Sequence, residues 1–314
     1  MKSILMVGLS TYDITVPMDG PLVENQKYHL HVKQEGGGGP AFNAAYLCAK
    51  WGASVYLRTR IGNDPYGDRM HELMLEAGIH DEEVLRRDEF HTPYSYIYIN
   101  SENGNRTIMN FRDDPETRSF SFPDHGIGVI LADGHEKQLS LDAFRQYPDA
   151  VRVLDAGNFR KPTLELAEQV DYLVSSQVFA EGYTGRRIDV NDEECCRSVM
   201  EAMEGIHHNT VVITLGGDGL LYRVPEDNGR EDAGMVRRME AFPARAVDTT
   251  GAGDIFHGAF CYCLSLGMEL EDILTISSLT SAISVEKEGS QTSIPDRETV
   301  RKRAREESVF VEGF

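Results

Sequence analysis

The stretch Ala246–Phe260, AVDTTGAGDIFHGAF, sets two glycines and a carboxylate, Gly251, Gly253 and Asp254, where a polar turn gives way to a long apolar run. Glycines at such a point let successive backbone N–H groups converge at a helix N-terminus, which makes a pocket for negative charge. A phosphoryl group in transfer is such a charge. Asp254, one residue beyond the pocket, stands where a carboxylate can accept a proton from an attacking hydroxyl while the pocket stabilises the phosphoryl oxygens. A plain helix start accounts for the same residues: Asp254 in a first helical turn interacts well with the positive end of the helix dipole. Taken alone, the stretch leaves both open.

The rest of the chain must supply elements to position these residues. Its 314 residues suffice for one α/β domain over residues 1–314 with a sizeable core. The five cysteines, Cys48, Cys195, Cys196, Cys261 and Cys263, are odd in number and lack C-x-x-C spacing, so neither a disulfide framework nor a zinc site is expected. A reducing, cytoplasmic setting fits that usage. The opening MKSILMVGLSTYD is too short an apolar run for a signal peptide or a membrane span and reads as a first strand. A formal net charge of −20 argues against nucleic-acid or anionic-membrane binding, so an anionic ligand needs a locally built positive site.

Along the chain, KYHLHVKQE alternates like a short strand, and the glycine loop Gly36–Gly39 feeds a helix with Ala44, Ala45, Leu47 and Cys48 on its apolar face. SVYLRTRIG follows as a strand, and a helix from Tyr66 to Ala77 ends at Gly78. This β-loop-α-β order predicts a mostly parallel sheet covered by helices. YSYIYINSENGNRTIMNFR interrupts it as a hairpin turning at Asn103-Gly104. With Tyr12–Val16 and Tyr28–Lys33 it is expected to form a small antiparallel lid, drawn from about residues 12–33 and 93–112. Afterwards strands and helices alternate again through IGVILADG, AVRVLDAG, TLELAEQV, DYLVSS, DEECCRSVMEAMEG and NTVVITLGGDGLLYRV, with a surface loop at Glu226–Gly234. Two helical stretches, Ile255–Leu266 and Leu270–Val285, follow the opening motif. His257, His207 and His208 show no ligand-like spacing and are expected to be surface or satisfied residues.

No G-x-x-x-x-G-K-[ST] segment and no H-R-D or D-F-G set is present, which disfavours P-loop and protein-kinase chemistry. GLSTYD lacks the G-x-G-x-x-G of a dinucleotide site. Two separated segments instead resemble the signatures of the ribokinase (PfkB-type) carbohydrate kinases, and the resemblance runs over nearly the whole chain. The first is GGGGPAFNAAYLCAKWGASVYLRTRIGNDPYGDRM, similar to the family's Gly-Gly-x-Gly/Ala-x-Asn-x-Ala pattern leading to Gly-x-Asp-x-x-Gly. The second is DTTGAGDIFHGAF, similar to Asp-Thr-x-Gly/Ala-Ala-Gly-Asp.

The resemblance implies a ribokinase-like α/β fold, with helices on both faces of the sheet and a protruding β lid. It implies that Asp254 is the base and that Gly251, Ala252 and Gly253 form the anion hole. Asp13, Gly38, Gly39 and Asn43 match positions that hold sugar hydroxyls in relatives; Asp13 is as readily a turn-capping residue. Thr214, Gly216 and Gly219 in TLGGDGLLY match a strand-turn along the nucleotide, though a hairpin turn explains GGDG equally well. SAISVEKEGSQTSIP resembles the adenine-flanking segment and a potassium-type cation loop, where Asp248, Thr250, Ser284, Lys287, Gly289 and Ser293 would offer mostly carbonyl oxygens. Ser176 and Phe179 stand where many relatives carry the Asn-x-x-Glu that organises water around Mg²⁺.

Arg112, at the end of the lid hairpin, could pair with a substrate carboxylate or phosphate, or face solvent; Tyr94, Tyr96 and Tyr98 alternate as packing. The expectation is therefore an ATP-dependent sugar or sugar-acid kinase that uses Mg²⁺ and K⁺ and forms a homodimer through the lid. A nucleoside kinase and a non-catalytic sensor are its rivals.

Overall fold

Eight strands form the central sheet in the order β14-β13-β12-β11-β10-β9-β1-β4, with β4 through β12 along that order running parallel and β13 and β14 antiparallel at one edge. Their ranges are β1 (Ser3–Val7), β4 (Val55–Arg58), β9 (Ile127–Ala132), β10 (Val151–Ala156), β11 (Tyr172–Ser176), β12 (Thr210–Thr214), β13 (Leu220–Arg223) and β14 (Val236–Met239). A separate four-stranded sheet stacks β3 (Gln34–Gly38), β2 (Thr11–Met18), β7 (Tyr94–Asn100) and β8 (Arg106–Phe111) in that order. A short parallel pair joins β5 (Arg60–Gly62) to β6 (Leu85–Arg87). The helices are α1 (Pro40–Lys50), α2 (Pro65–Ala77), α3 (Lys137–Gln146), α4 (Lys161–Ala167), α5 (Gln177–Thr184), α6 (Glu193–Glu204), α7 (Ala252–Leu266), α8 (Leu270–Ser284) and α9 (Arg297–Glu306). The structure, a computed structural model, describes residues 1–102, 106–206, 210–224, 231–311 and 313–314.

Side chains alternate across the parallel strands, and both faces are buried. Ile4, Met6, Val129 and Leu131 enter one core with α1, α7 and α8, whereas Leu5, Val7, Ile130 and Ala132 enter another with α3 to α6. A strand wetted on neither face needs an unbroken apolar run, as ILMV and VILA provide. Each fully buried Leu, Ile or Val contributes roughly 1.5–3 kcal/mol, so these two cores hold the sheet edge rigid beneath the site. Helix α7 is apolar almost all round because it packs against α1, α8 and β9 at once.

The lid differs from the sequence expectation in two respects. It is a mixed sheet, because β2 and β7 come from distant segments and pair parallel, with only β2–β3 and β7–β8 antiparallel, and one of its strands lies elsewhere. Residues 28–33 are not a strand, and Leu30 and Val32 stay exposed; the strand that pairs with β2 is the glycine-bearing β3, Gln34–Gly38. Alternation marks a face to be buried, and residues 28–33 have no face to pack on. The ladder partner needs only backbone, which Gly36 and Gly37 supply opposite Asp13 and Tyr12. SVYLRTRIG is likewise two strands: it breaks at Thr59, and β5 leaves the main sheet to pair with β6. The β7–β8 hairpin forms as expected, while its Asn103-Gly104 turn, His207, His208 and residues 226–230 of the acidic loop lie outside the described residues. Among the described residues no helix is long and apolar enough to cross a membrane.

Candidate active site

The first turn of α7 begins at Gly251, whose φ of 76° is the left-handed conformation that only glycine adopts freely. A Cβ there would lie 2.9 Å from that of Ser290. The first bond of the i→i−4 ladder runs from Ile255 N–H to Gly251 O at 2.9 Å; Ala252 N–H donates to Thr249 O at 3.3 Å, and the N–H groups of Gly253 and Asp254 precede the ladder. Asp254 sits in this turn. Asn43 of α1 donates from Nδ2 to Asp254 Oδ2 at 2.7 Å, joining residues 211 positions apart. The Oδ1 of Asn43 is buried without a hydrogen-bond partner, an acceptor left open beside Asp254.

Asp254 keeps a partly open side chain, yet the protein around its carboxyl removes enough water to push its pKa up to about 7. After burial the main cause is the negative charge of Asp155, opposed by the Asn43 hydrogen bond and by His257. Asp155 ends β10 and is itself pushed up by burial, with Oδ2 3.4 Å from His257 Nδ1. His257 is buried and satisfied: Nδ1 meets Gly253 O at 2.7 Å and Nε2 meets Val174 O at 3.3 Å.

Asp13 lies on lid strand β2, where Thr11 Oγ1 donates to its Oδ1 at 2.7 Å. Burial outweighs that bond and one from Ser95 and raises its pKa. Any side chain at Gly38 would collide with the Asp13 carboxylate, so glycine there is what lets α1 and its Asn43 approach β2. Gly39 precedes α1 as its N-cap. A cleft of about 740 Å³ opens between the lid and two loops, lined by Asp13, Gly36, Gly37, Arg106, Asp248, Thr250 and Gly289 among others. Asp254 is not on its wall; the Asn43–Asp254 pair lies at the Gly251 turn, next to the lining residue Thr250.

Asp248 ties the two loops together: Oδ1 accepts from Thr250 N at 2.8 Å and Oγ1 at 2.6 Å, and Oδ2 accepts from Gly289 N at 2.9 Å. Burial pushes its carboxyl up, but those bonds and Arg106 outweigh it and hold the pKa below the usual range. Ser284 O accepts from Lys287 N, Gly289 O from Ser293 N, and Val285 O from Asp248 N, so the segments carrying the six residues of the expected cation loop lie side by side. Thr214 ends β12 and donates from Oγ1 to Ser175 O at 3.2 Å; Gly216 and Gly219 flank the tight turn into β13. Ser176 caps α5, accepting from Phe179 N and donating to Gly157 O, and so serves the backbone. Among the described residues no group of three or more His, Cys, Asp or Glu could hold a metal ion.

Two arginines reach in from the lid. Arg106 donates from Nη1 to Thr250 Oγ1 at 3.0 Å and Thr249 Oγ1 at 3.2 Å, beside the Gly251 turn. Arg112 instead meets His135 Nδ1 at 2.7 Å. Asp155, Arg106 and His135 were not singled out from the sequence. Asp155 was legible only as the charged residue in an otherwise apolar strand, VRVLDA.

Fold and site together define a phosphoryl-transfer enzyme of the α/β type. Residues 1–297 match the model of the pfkB family carbohydrate kinases, and the chain belongs to that family. It is 26% identical over 315 residues to a ribokinase of Staphylococcus aureus, covering 96% of this chain and 99% of that one. To a nucleoside kinase of Methanothermobacter thermautotrophicus it is 24% identical over 316 residues, covering 96% and 95%. The solved structure of Arabidopsis thaliana ribokinase complexed with ribose and ATP shares its fold, with a TM-score of 0.81 at 22% identity over 96% of this chain and 98% of that one.

Proposed function

We propose that the chain transfers the γ-phosphoryl group of ATP to a hydroxyl of a sugar or sugar acid. The observation that carries this is the 2.7 Å hydrogen bond from Asn43 to Asp254, which joins the two sequence signatures beside a helix N-terminus suited to phosphoryl charge. Asp254, with its carboxyl pushed up to about 7, takes the hydroxyl proton as the oxygen attacks in line. The backbone of Gly251, Ala252 and Gly253 receives charge on the transferring oxygens. Asn43 fixes one Asp254 oxygen and offers Oδ1 to the substrate, with Asp13 and the backbone of Gly38 and Gly39 holding further hydroxyls.

Thr214, Gly216 and Gly219 lie along the nucleotide in this scheme, and Arg112 contacts the substrate from the lid. Mg²⁺, when bound with ATP, would neutralise phosphate charge; among the described residues no group of three or more His, Cys, Asp or Glu could hold it. The carbonyl-rich loop of Asp248, Thr250, Ser284, Lys287, Gly289 and Ser293 suits a monovalent ion such as K⁺. Lid closure excludes water and limits ATP hydrolysis. The exposed lid residues Tyr96, Ile108, Met109 and Phe111 suit a homodimer, and the five free cysteines suit a reducing cytoplasm.

Similarity to a nucleoside kinase favours a second reading, nucleoside phosphorylation at the same base. A coupled ADP-release assay with ATP, Mg²⁺ and K⁺ against sugars, sugar acids, sugar phosphates and nucleosides separates them. Turnover with a sugar or sugar derivative is expected. Turnover with nucleosides alone would transfer the assignment to the second reading, and binding without ADP release would identify a sensor.

A further inference from the structure

Arg112, His135 and Arg160 converge at the C-terminal edge of the parallel sheet, where phosphoryl transfer to a neutral sugar has no use for them. His135 follows β9, Arg160 follows β10, and Arg112 leaves lid strand β8. In open α/β sheets that edge is where ligands sit. A guanidinium has no acceptor, so in the 2.7 Å contact His135 Nδ1 accepts from Arg112 and the ring hydrogen lies on Nε2. Burial, together with Arg160 and Arg112, holds the His135 pKa below its usual value against Asp133 and Asp155, consistent with that neutral form.

Arg160 is the more telling group. Its Nε is buried without a hydrogen-bond partner, and burial and Arg112 lower its pKa against the weaker pull of the Asp133 charge. Of the other buried and part-buried arginines, Arg58 pairs with Glu83, Arg60 with Glu136 and Arg223 with Glu204, whereas Arg152 and Arg297 bond carbonyl or hydroxyl oxygens. Among the described residues neither Arg112 nor Arg160 forms an ion pair within 4.0 Å, in a chain with 51 acidic residues. Two adjacent guanidiniums that repel each other, one of them desolvated, gain most from a shared anion. The group shares surroundings with the base, since the charge of Asp155 acts on both His135 and Asp254.

We propose that Arg112 and Arg160, backed by the Nε2 hydrogen of His135, bind an anionic group carried by the sugar, a carboxylate or a phosphate. The substrates are then sugar acids or sugar phosphates in preference to neutral sugars, and the anion bridges lid to sheet, drawing the lid down. This rests on the kinase reading above, which remains separately testable.

Calorimetry on the full chain without ATP tests it with matched probes: ribose against ribose 5-phosphate, fructose against fructose 6-phosphate, and glucitol against gluconate and 2-keto-3-deoxygluconate. At least one anionic probe is expected to bind about tenfold or more tighter than its neutral counterpart. Preference within the phosphate or the carboxylate pairs identifies which anion is meant. Arg160→Gln, and Arg112→Gln on the exposed end of the lid, should each remove that preference. Neutral sugars binding as tightly as anionic ones, a preference intact in both variants, or failure of every anionic probe to bind would overturn it. An anionic sugar that binds but yields no ADP on adding ATP would break the kinase reading and leave the anion site standing.

Discussion

The charge state of Asp254 governs activity in this account. Its pKa of about 7 means that kcat/KM falls as pH drops through about 7, because the protonated acid cannot take the hydroxyl proton. Asp155→Asn removes a negative neighbour that raises this pKa, so the acid limb should move to lower pH; an unmoved limb in a folded variant would show that another group sets it. The sign for stability is opposite to that of a salt-bridged aspartate. The folded state binds this proton more tightly than the unfolded chain does, so ionisation between the ordinary carboxylate range and about 7 costs stability. Asp254→Asn should therefore melt no lower than the parent at pH 8, the usual exchange of stability against function. Gly38→Ala tests the sugar subsite: the new methyl group meets the Asp13 carboxylate, and the expected result is a raised KM with the fold retained.

Elements whose side chains follow a burial period were legible in the sequence, and elements fixed by backbone were not. Runs such as ILMV and VVIT declare strands buried on both faces, and the apolar face of Ala44, Ala45, Leu47 and Cys48 and the Gly78 stop declare α1 and α2. The glycine run at 36–38 carries no such pattern, which is why it read as a loop while the alternating residues 28–33 read as a strand. Within the site, Asp254, Asn43 and Asp13 stand in spaced motifs and could be named. Asp155, His135 and Arg106 acquire meaning only through partners more than 20 residues away in the chain, and one sequence gives no such pairing. Arg106 would bring the lid into the proposed chemistry. Held on the Thr249 and Thr250 hydroxyls, it brings a positive charge beside the anion-hole turn. Arg106→Ala should lower kcat by roughly tenfold to a hundredfold, with a smaller change in sugar KM. An unchanged kcat would confine this arginine to holding the lid.

Across the whole molecule, a chain of net charge −20 must receive anionic ATP in this proposal, and Arg106 and Arg112 bring positive charge in from the lid. The lid also exposes Tyr96, Ile108, Met109 and Phe111 on adjacent strands, a surface suited to a second copy. Light scattering should report a dimer for the parent and a monomer for Ile108→Asp; a monomeric parent would remove the dimer from the account. The central claim remains that one carboxylate, brought to Asn43 from the far end of the chain, is the base. Its most direct test is ADP release by Asp254→Asn with the best sugar of the panel, with sugar binding measured alongside by calorimetry. Binding within a few-fold of the parent and a kcat reduced by roughly 100-fold or more are predicted; a correctly folded variant that binds sugar and turns over like the parent would contradict the assignment.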